Sequence, residues 1–342
     1  MRPGVSFSFL LMAHVALAQK QPINYGSIDR QVRTIDASSP DDLAQKLTWA
    51  YNTDFERARA IFSWIAQHIS YEYKDPGSHV SNKVSNTIND DDKDTSALTP
   101  LNKLVAEEVL KKRVALCYGY SHLFKYLCDY ANIPCEIVNG YARGDFNKIG
   151  ANFRTNHSWN AISLDSSWYL VDVTWASGYF SYKDNNFIKR FDDQYFLTAP
   201  AQFALDHFPD DLKWTLLEQP PAISEFQNGP YKARCFMKYE IISYWPKQGV
   251  IKASVGDTIN FAMQMKLPTD RRIGGGSVDD TVSLFSMPVA VYCKPSLVDQ
   301  GFIHYNYVVT SQNIQWLQLV YNDDMILRYR LDIRTKRFTS RE

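Results

Sequence analysis

The segment that most restricts the fold of this chain is an amphipathic helix that begins at Cys117. Apolar side chains recur every three or four positions over residues 117–130, which predicts one buried helix face. Residues 135–142 alternate as a strand does, and residues 156–164 and 168–175 predict two more strands around a turn-forming tripeptide. This order predicts a helix packed against an antiparallel sheet, an α+β fold. The predicted buried stripe consists of Tyr120, Leu123, Phe124, Leu127 and Cys128.

Three reactive side chains lie in this helix and in the two strands predicted over residues 156–164 and 168–175. Cys117 opens the helix, where the helix dipole and the N–H groups of the first turn favour a thiolate and can hold an oxyanion. His157 and Asp172 follow in the two strands. An imidazole can take the thiol proton, and a carboxylate can fix the imidazole tautomer. Each residue alone is more often structural, but the three in this order predict a Cys-His-Asp nucleophilic triad.

The predicted strand pairing leaves a gap between the histidine and the aspartate. A tight turn at residues 165–167 places Asp172 opposite about Asn160. At ~3.3 Å per residue, His157 then lies roughly 10 Å too far along its strand. Strand twist, a bulge or a wider loop must close that distance.

Three aromatic residues adjoin the predicted triad. Tyr118 follows the cysteine, while Trp159 and Trp175 flank the histidine and the aspartate. We assign all three to the substrate pocket. The alternative role for each is core packing, since aromatic rings bury large apolar areas.

The chain resembles the transglutaminase-like superfamily, whose fold is related to that of papain, and in particular the branch that includes kyphoscoliosis peptidase and many bacterial exported proteins. The resemblance covers roughly residues 50 to 215 and implies that Cys117 is the nucleophile, His157 the base and Asp172 the residue that orients it. Two features depart from the family pattern: Ala115 replaces a frequent glycine, and residues 76–98 form a long polar insertion. The segments that carry the resemblance are residues 58–66 with 69–71, residues 117–124 with 133–135, and residues 156–160 with 168–175.

This resemblance leaves the reaction open, because one fold can carry several activities. We expect thiol-dependent acyl transfer on peptide or glutamine-type amides, by hydrolysis or by amide cross-linking, and favour hydrolysis because water is always present. The alternative is a catalytically silent scaffold or binding protein. We expect no cofactor and no metal, since the chain has no Gly-rich phosphate loop and no second Cys or His at ligand spacing to Cys117 and His157.

The flanking regions predict an exported, two-domain protein. Residues 1–18 have one positive charge, an apolar run and a small-x-small ending typical of a signal peptide, so we expect a periplasmic or extracellular location. Residues 19–218 form the predicted transglutaminase-like domain. Lys plus Arg and Asp plus Glu both number 37, which gives no electrostatic case for nucleic acid. No stretch is long and apolar enough for a stable membrane span. The partner that the expected acyl transfer implies is a protein or peptide substrate.

Residues 219–342 predict a second domain. Short β-rich runs separated by turns, the first at residues 234–244, predict a β-sandwich of immunoglobulin-like size. Cys235 and Cys293 both lie in this region and could form a disulfide. The odd count of five cysteines leaves at least one thiol unpaired in an exported chain, and Cys117 is the natural one if it is the nucleophile. The sequence does not indicate an oligomeric state.

Overall fold

The structure is a computed structural model that describes residues 23–72, 100–144, 153–181, 186–266 and 290–334. The predicted signal peptide (residues 1–18) and the polar insertion (residues 76–98) lie outside the described residues. The helices are α1 (Tyr25–Val32), α2 (Pro40–Thr48), α3 (Asp54–His68), α4 (Leu101–Lys112), α5 (Cys117–Tyr130), α6 (Val173–Ala176), α7 (Pro200–Phe203), α8 (Ile223–Asn228) and α9 (Cys235–Lys238), with short 3-10 helices at Asp193–Tyr195 and Leu212–Thr215.

The strands fall into two groups along the chain. The N-terminal group is β1 (Ser70–Tyr71), β2 (Val114–Ala115), β3 (Cys135–Ala142), β4 (His157–Leu164), β5 (Ser167–Val171), β6 (Gly178–Ser181), β7 (Asn186–Lys189) and β8 (His207–Pro209). The C-terminal group is β9 (Tyr231–Lys232), β10 (Ile241–Trp245), β11 (Val250–Ser254), β12 (Thr258–Met265), β13 (Ala290–Cys293), β14 (Leu297–Asp299), β15 (Phe302–Val308), β16 (Trp316–Tyr321) and β17 (Asp324–Arg334).

Helix α3 is buried along most of its length and lies at the centre of the N-terminal core. The N-cap is Thr53, whose Oγ1 accepts the N–H of Glu56 at 3.3 Å. The Glu56 carboxylate in turn accepts the N–H of Thr53 at 3.1 Å, which completes a capping box. Two backbone donors of the first turn are satisfied in this way, so the helix begins at a defined residue.

Helix α5 packs into the same core, as its stripe predicts. The five apolar residues of the predicted stripe are all fully buried. They share one cluster with side chains of α2, α3 and α4 and with Ile162 and Leu164 of β4. The predicted arrangement, a nucleophile-bearing helix against an antiparallel sheet, is therefore confirmed.

The sheet that supports α5 has the strand order β5-β4-β3-β8, and its pairs are all antiparallel. The predicted strand over residues 168–175 is wrong in its second half. The strand ends at Val171, and Val173–Ala176 form the single helical turn α6. Asp172 ends the strand because its carboxylate accepts the N–H of Trp175 at 3.0 Å and caps that turn.

The C-terminal strands form two sheets, β10-β12-β15-β14 and β11-β17-β16-β13, with β9 paired to β17. Buried side chains from both sheets meet in one cluster, so the sheets pack face to face as a sandwich. Two pairings, β11 with β17 and β13 with β16, are parallel. The predicted strand at residues 234–244 is wrong at its start, where Cys235–Lys238 form helix α9. Cys235 and Cys293 are both buried thiols, and no disulfide joins them.

The described parts of the chain contain no helix with the length and apolar character needed to cross a membrane.

Candidate active site

Cys117 is the first residue of α5, and the chain around it is held closely. Leu116 precedes it in an extended conformation and supplies no side-chain cap to the helix. Strand β2 leads into it and pairs in parallel with β1. A Cβ atom at Gly119 would lie 2.8 Å from the Cβ of Ala115 and 2.9 Å from Cγ2 of Val109. Because glycine carries no side chain, α5 can approach β2 and α4 this closely, which sets the position of the Cys117 thiol.

His157 and Asp172 are brought together by the register of β4 and β5. Asn160 is paired with Val171, and the turn between the strands has two residues, both with positive φ. Asp172 therefore lies level with Trp159, two positions from His157. Residues two apart on a strand point to the same face, and a diagonal pair across two strands lies within reach of long side chains. The predicted 10 Å gap was wrong because the true offset is two residues, and no bulge is needed to close it.

The imidazole of His157 is held through its Nε2 atom. His157 Nε2 lies 2.7 Å from Oδ2 of Asp172, and both side chains are buried. A carboxylate can only accept, so Nε2 carries the proton in this contact. The other ring nitrogen, Nδ1, is then the one available to Cys117, whose sulfur interacts with His157 and with the backbone N–H of Ser158.

The charges of the three groups stabilise one another. Burial alone would lower the pKa of His157, but the charge and hydrogen bond of Asp172, together with Cys117, raise this pKa to about 10. Burial likewise opposes the charge on Asp172, yet the two neighbouring histidines, His157 and His207, hold its pKa well below the usual range. The structure thus favours an imidazolium next to a carboxylate at neutral pH.

The Cys117 thiol lies at the partly exposed end of this chain of contacts. Burial raises the pKa of the thiol, but the hydrogen bond and charge of His157 and the N–H of Ser158 outweigh burial. The charge of Asp172 acts in the opposite direction. The net result is a pKa for Cys117 below its ordinary value, as expected for a thiol beside an imidazolium.

A second histidine, His207, was not predicted from the sequence. It lies at the start of β8, on the far edge of the sheet from Asp172 in strand order, and is fully buried. Its Nε2 lies 3.0 Å from the same Asp172 oxygen that contacts His157. Its Nδ1 lies 2.6 Å from Oδ1 of Asp206. The only sequence signal was the dipeptide Asp206-His207 before a short apolar run, and no spacing rule connects it to residue 172.

The three aromatic residues assigned to the pocket occupy different positions. Tyr118 is 43% exposed beside the thiol, and its ring packs on His122. Trp175 is partly buried, with its ring centroid 5.6 Å from that of His157. Trp159 is only 1% exposed and packs on Phe203 beneath the site, which is the core-packing alternative. Tyr118 and Trp175 therefore lie where a substrate could reach them.

The only group of potential metal ligands among the residues described consists of His157, Asp172 and His207, whose donor atoms lie within 4.8 Å of one another. Zinc ligands lie about 2.0–2.1 Å from the ion, so tetrahedral donors are roughly 3.3 Å apart. The nitrogen-to-oxygen contacts of 2.7 and 3.0 Å are shorter than this and are accounted for by hydrogen bonds. We assign no metal to the cluster.

The fold and the arrangement of Cys117, His157 and Asp172 together define the structural class of this protein. A cysteine at the N-terminus of a helix, packed on an antiparallel sheet that carries a histidine and an aspartate, is the architecture of the papain-like α+β fold. Comparison with known proteins agrees: residues 41–173 match the model of the transglutaminase-like superfamily. The chain therefore contains a transglutaminase-like domain, and the predicted resemblance is confirmed.

Individual proteins of known sequence are also similar to this chain. The chain is 33% identical to human kyphoscoliosis peptidase over 221 residues. This matched region covers 64% of this chain and 30% of the human protein. Mouse kyphoscoliosis peptidase is 31% identical over 68% of this chain and 32% of its own length. Hillarin from Drosophila melanogaster is 28% identical over 73% of this chain and 30% of its own length. The chain thus spans about a third of the length of each of these relatives.

Proposed function

We propose that this protein is a thiol-dependent acyl-transfer enzyme that acts on peptide or glutamine-type amides, with hydrolysis as its main reaction. The observation that carries the proposal is the geometry around His157. Its Nε2 is bonded to the buried Asp172, which leaves Nδ1 as the nitrogen that can serve the Cys117 thiol, and His157 is among the groups that lower the pKa of that thiol. A buried carboxylate that fixes a histidine next to a helix-terminal thiol is the arrangement that nucleophilic catalysis requires.

The first half of the proposed reaction forms a thioester. The Cys117 thiolate attacks the carbonyl carbon of the amide, and the carbonyl oxygen takes up the electron pair as an oxyanion. Backbone N–H groups of the first turn of α5 are suited to hold that oxyanion, because the helix N-terminus is the positive end of the dipole. The Nδ1–H of the His157 imidazolium then protonates the nitrogen of the breaking C–N bond, and the amine leaves.

The second half releases the acyl group. Neutral His157 takes a proton from water through Nδ1, and the resulting hydroxide attacks the thioester carbon. The C–S bond breaks, the acid is released, and Cys117 returns as a thiolate next to an imidazolium. A primary amine in place of water would give cross-linking. We favour water because it needs no binding site of its own. Tyr118 and Trp175 would form apolar walls around the acyl part of the substrate in either reaction.

The test uses reactivity first and turnover second. Iodoacetamide should alkylate Cys117 rapidly at pH values well below the free-thiol pKa of ~8.5, with the site of modification read by peptide mass spectrometry. A mixture of unfolded proteins with a fluorescent primary amine should then show new chain termini rather than incorporated amine. Cys117→Ala should abolish both signals, whereas Cys293→Ala, which changes a buried thiol of the C-terminal core, should retain both. A thiol with an ordinary titration would instead favour the silent scaffold.

We also propose that the protein is exported and that residues 19–218 and 219–342 form separate domains. The apolar run and the small-x-small ending of residues 1–18 support export to the periplasm or outside the cell. The hydrophobic cluster around α3 and α5 is separate from the cluster between the C-terminal sheets, which supports the division of the chain. Sequencing the N-terminus of the protein recovered from an exporting host tests the first proposal, with Gln19 as the expected first residue.

A further inference from the structure

His207 has an environment that the proposed reaction does not by itself explain. The residue is 1% exposed, and both ring nitrogens of its side chain lie at hydrogen-bond distance from carboxylates. Nε2 is 3.0 Å from Oδ2 of Asp172, and Nδ1 is 2.6 Å from Oδ1 of Asp206. Since ionised carboxylates only accept, both nitrogens must donate for both contacts to be hydrogen bonds. A buried imidazole that donates a hydrogen bond from each ring nitrogen has a defined orientation, which a side chain that only fills space in the core does not need.

Aromatic side chains fix the plane of the His207 ring. The Phe203 ring is stacked on it, with centroids 4.0 Å apart and planes 25° apart. The ring centroid of Trp175 lies 4.6 Å from that of His207, and the Trp159 ring lies edge-on to His207 with centroids 5.0 Å apart. With the ring held on three sides, Nε2 cannot swing away from the Asp172 carboxylate without disturbing this packing. The direction of the Nε2–H bond is therefore set by the core.

We propose that His207 is a positioning residue, which pins the Asp172 carboxylate in the orientation that accepts the Nε2–H of His157. This inference rests on the proposed function, because it concerns how the same site is held. Asp172 Oδ1 is already bonded to the N–H of Trp175 at 3.0 Å, and Oδ2 receives the two imidazoles. The carboxylate is thus fixed at both oxygens, and rotation would break at least two hydrogen bonds at once.

The groups that face His207 determine its charge. Asp206 precedes it in the chain, Asp172 follows β5, His157 lies on β4 with its ring centroid 5.6 Å away, and Tyr195 lies in a 3-10 helix at 6.4 Å. Burial alone would lower the pKa of His207, but Asp206 and Asp172 raise it. The two carboxylates therefore favour the doubly protonated ring, which keeps a second N–H donor and a positive charge beside Asp172 when His157 gives up its Nδ1 proton during turnover.

Two substitutions separate this role from packing. His207→Leu removes the donor and keeps an apolar side chain. His207→Gln keeps an N–H close to the position of Nε2 but cannot take a charge. The measurement is the rate of Cys117 alkylation by iodoacetamide across pH on the whole chain, with thermal unfolding and near-ultraviolet circular dichroism as checks on folding.

We expect His207→Leu to slow alkylation at pH 6.5 by about 10- to 100-fold, the range seen when the outer partners of metal ligands are removed. We also expect the midpoint of its pH profile to move upward, because a loosened Asp172 no longer holds His157 as the cation that stabilises the thiolate. His207→Gln should restore most of the rate. A folded His207→Leu protein with the wild-type rate and midpoint overturns the inference, as do Leu and Gln variants that are equally impaired.

The same experiment keeps the two proposals apart. If wild-type Cys117 titrates as an ordinary thiol, the proposed enzyme function fails before any variant is considered. If wild-type Cys117 is activated and the His207 variants leave its profile unchanged, only the positioning role is lost.

Discussion

The substitution that tests the site most directly is Asp172→Asn. Asparagine keeps an oxygen that can accept the N–H of Trp175, so the cap of α6 and the local fold should survive. At the Oδ2 position, however, the amide presents N–H groups to His157 and His207. Each imidazole must then accept through Nε2, which moves the His157 proton to Nδ1. A neutral His157 in that tautomer cannot take the proton of Cys117.

The size of the effect follows from the pKa of His157. Burial opposes the charge on this ring, and Asp172 is the main group that raises its pKa from 6.5 to about 10. A rise of that size corresponds to on the order of 5 kcal/mol in favour of the imidazolium. Without most of this stabilisation, His157 is neutral near pH 7. The pKa of the Cys117 thiol then rises, because burial is the largest influence on that pKa and His157 no longer opposes it.

The assay is alkylation of Cys117 at pH 6.5, followed by turnover of an amide substrate. We expect the alkylation rate to fall by at least ~10-fold, since each unit of increase in the thiol pKa removes a factor of ten in thiolate. Turnover should fall by as much as about 10⁴-fold, the scale known for the equivalent change in a serine triad. Asp299→Asn, an exposed aspartate on β14, is the matched control and should change neither. An Asp172→Asn protein that folds and reacts like the wild type would refute the role given to Asp172.

Three further outcomes follow from the structure. Amide hydrolysis should fall as pH rises through about 10, because His157 then loses the proton that the leaving amine needs, and this limb is read from a pH profile of kcat/KM. Gly140→Ala should lower the free energy of unfolding by about 1–3 kcal/mol in urea titrations, since a Cβ there would overlap the backbone oxygen of Phe208 in β8. Gly144→Ala, where a Cβ would have no atom within 4 Å, should be nearly neutral. Thr53→Ala should cost about 0.5–2 kcal/mol in the same titration because it removes half of the capping box with Glu56, and an unchanged midpoint would contradict that cap.

Local sequence patterns predicted the elements that carry the site. The stripe of α5 spans the residues that are buried, and the helix begins at Cys117 as its pattern indicates. Strands β3 and β4 lie close to their predicted bounds. These predictions succeed because periodic burial is written into neighbouring residues. The strand predicted over residues 168–175 failed at Asp172, where a side chain that caps a helical turn overrides the β-preference of the residues around it.

By itself, the sequence determined the residue types, their order and two of the elements on which they lie: a thiol that opens a helix and an imidazole on a strand, followed by a carboxylate. Only the tertiary structure decided how these groups meet. The register of β4 and β5 set Asp172 diagonal to His157, and the pairing of β8 with β3 brought His207 to the same carboxylate. Strand pairing over long separations depends on the packing of the whole sheet, and no local pattern encodes it. For that reason the second histidine could be found only in the folded chain.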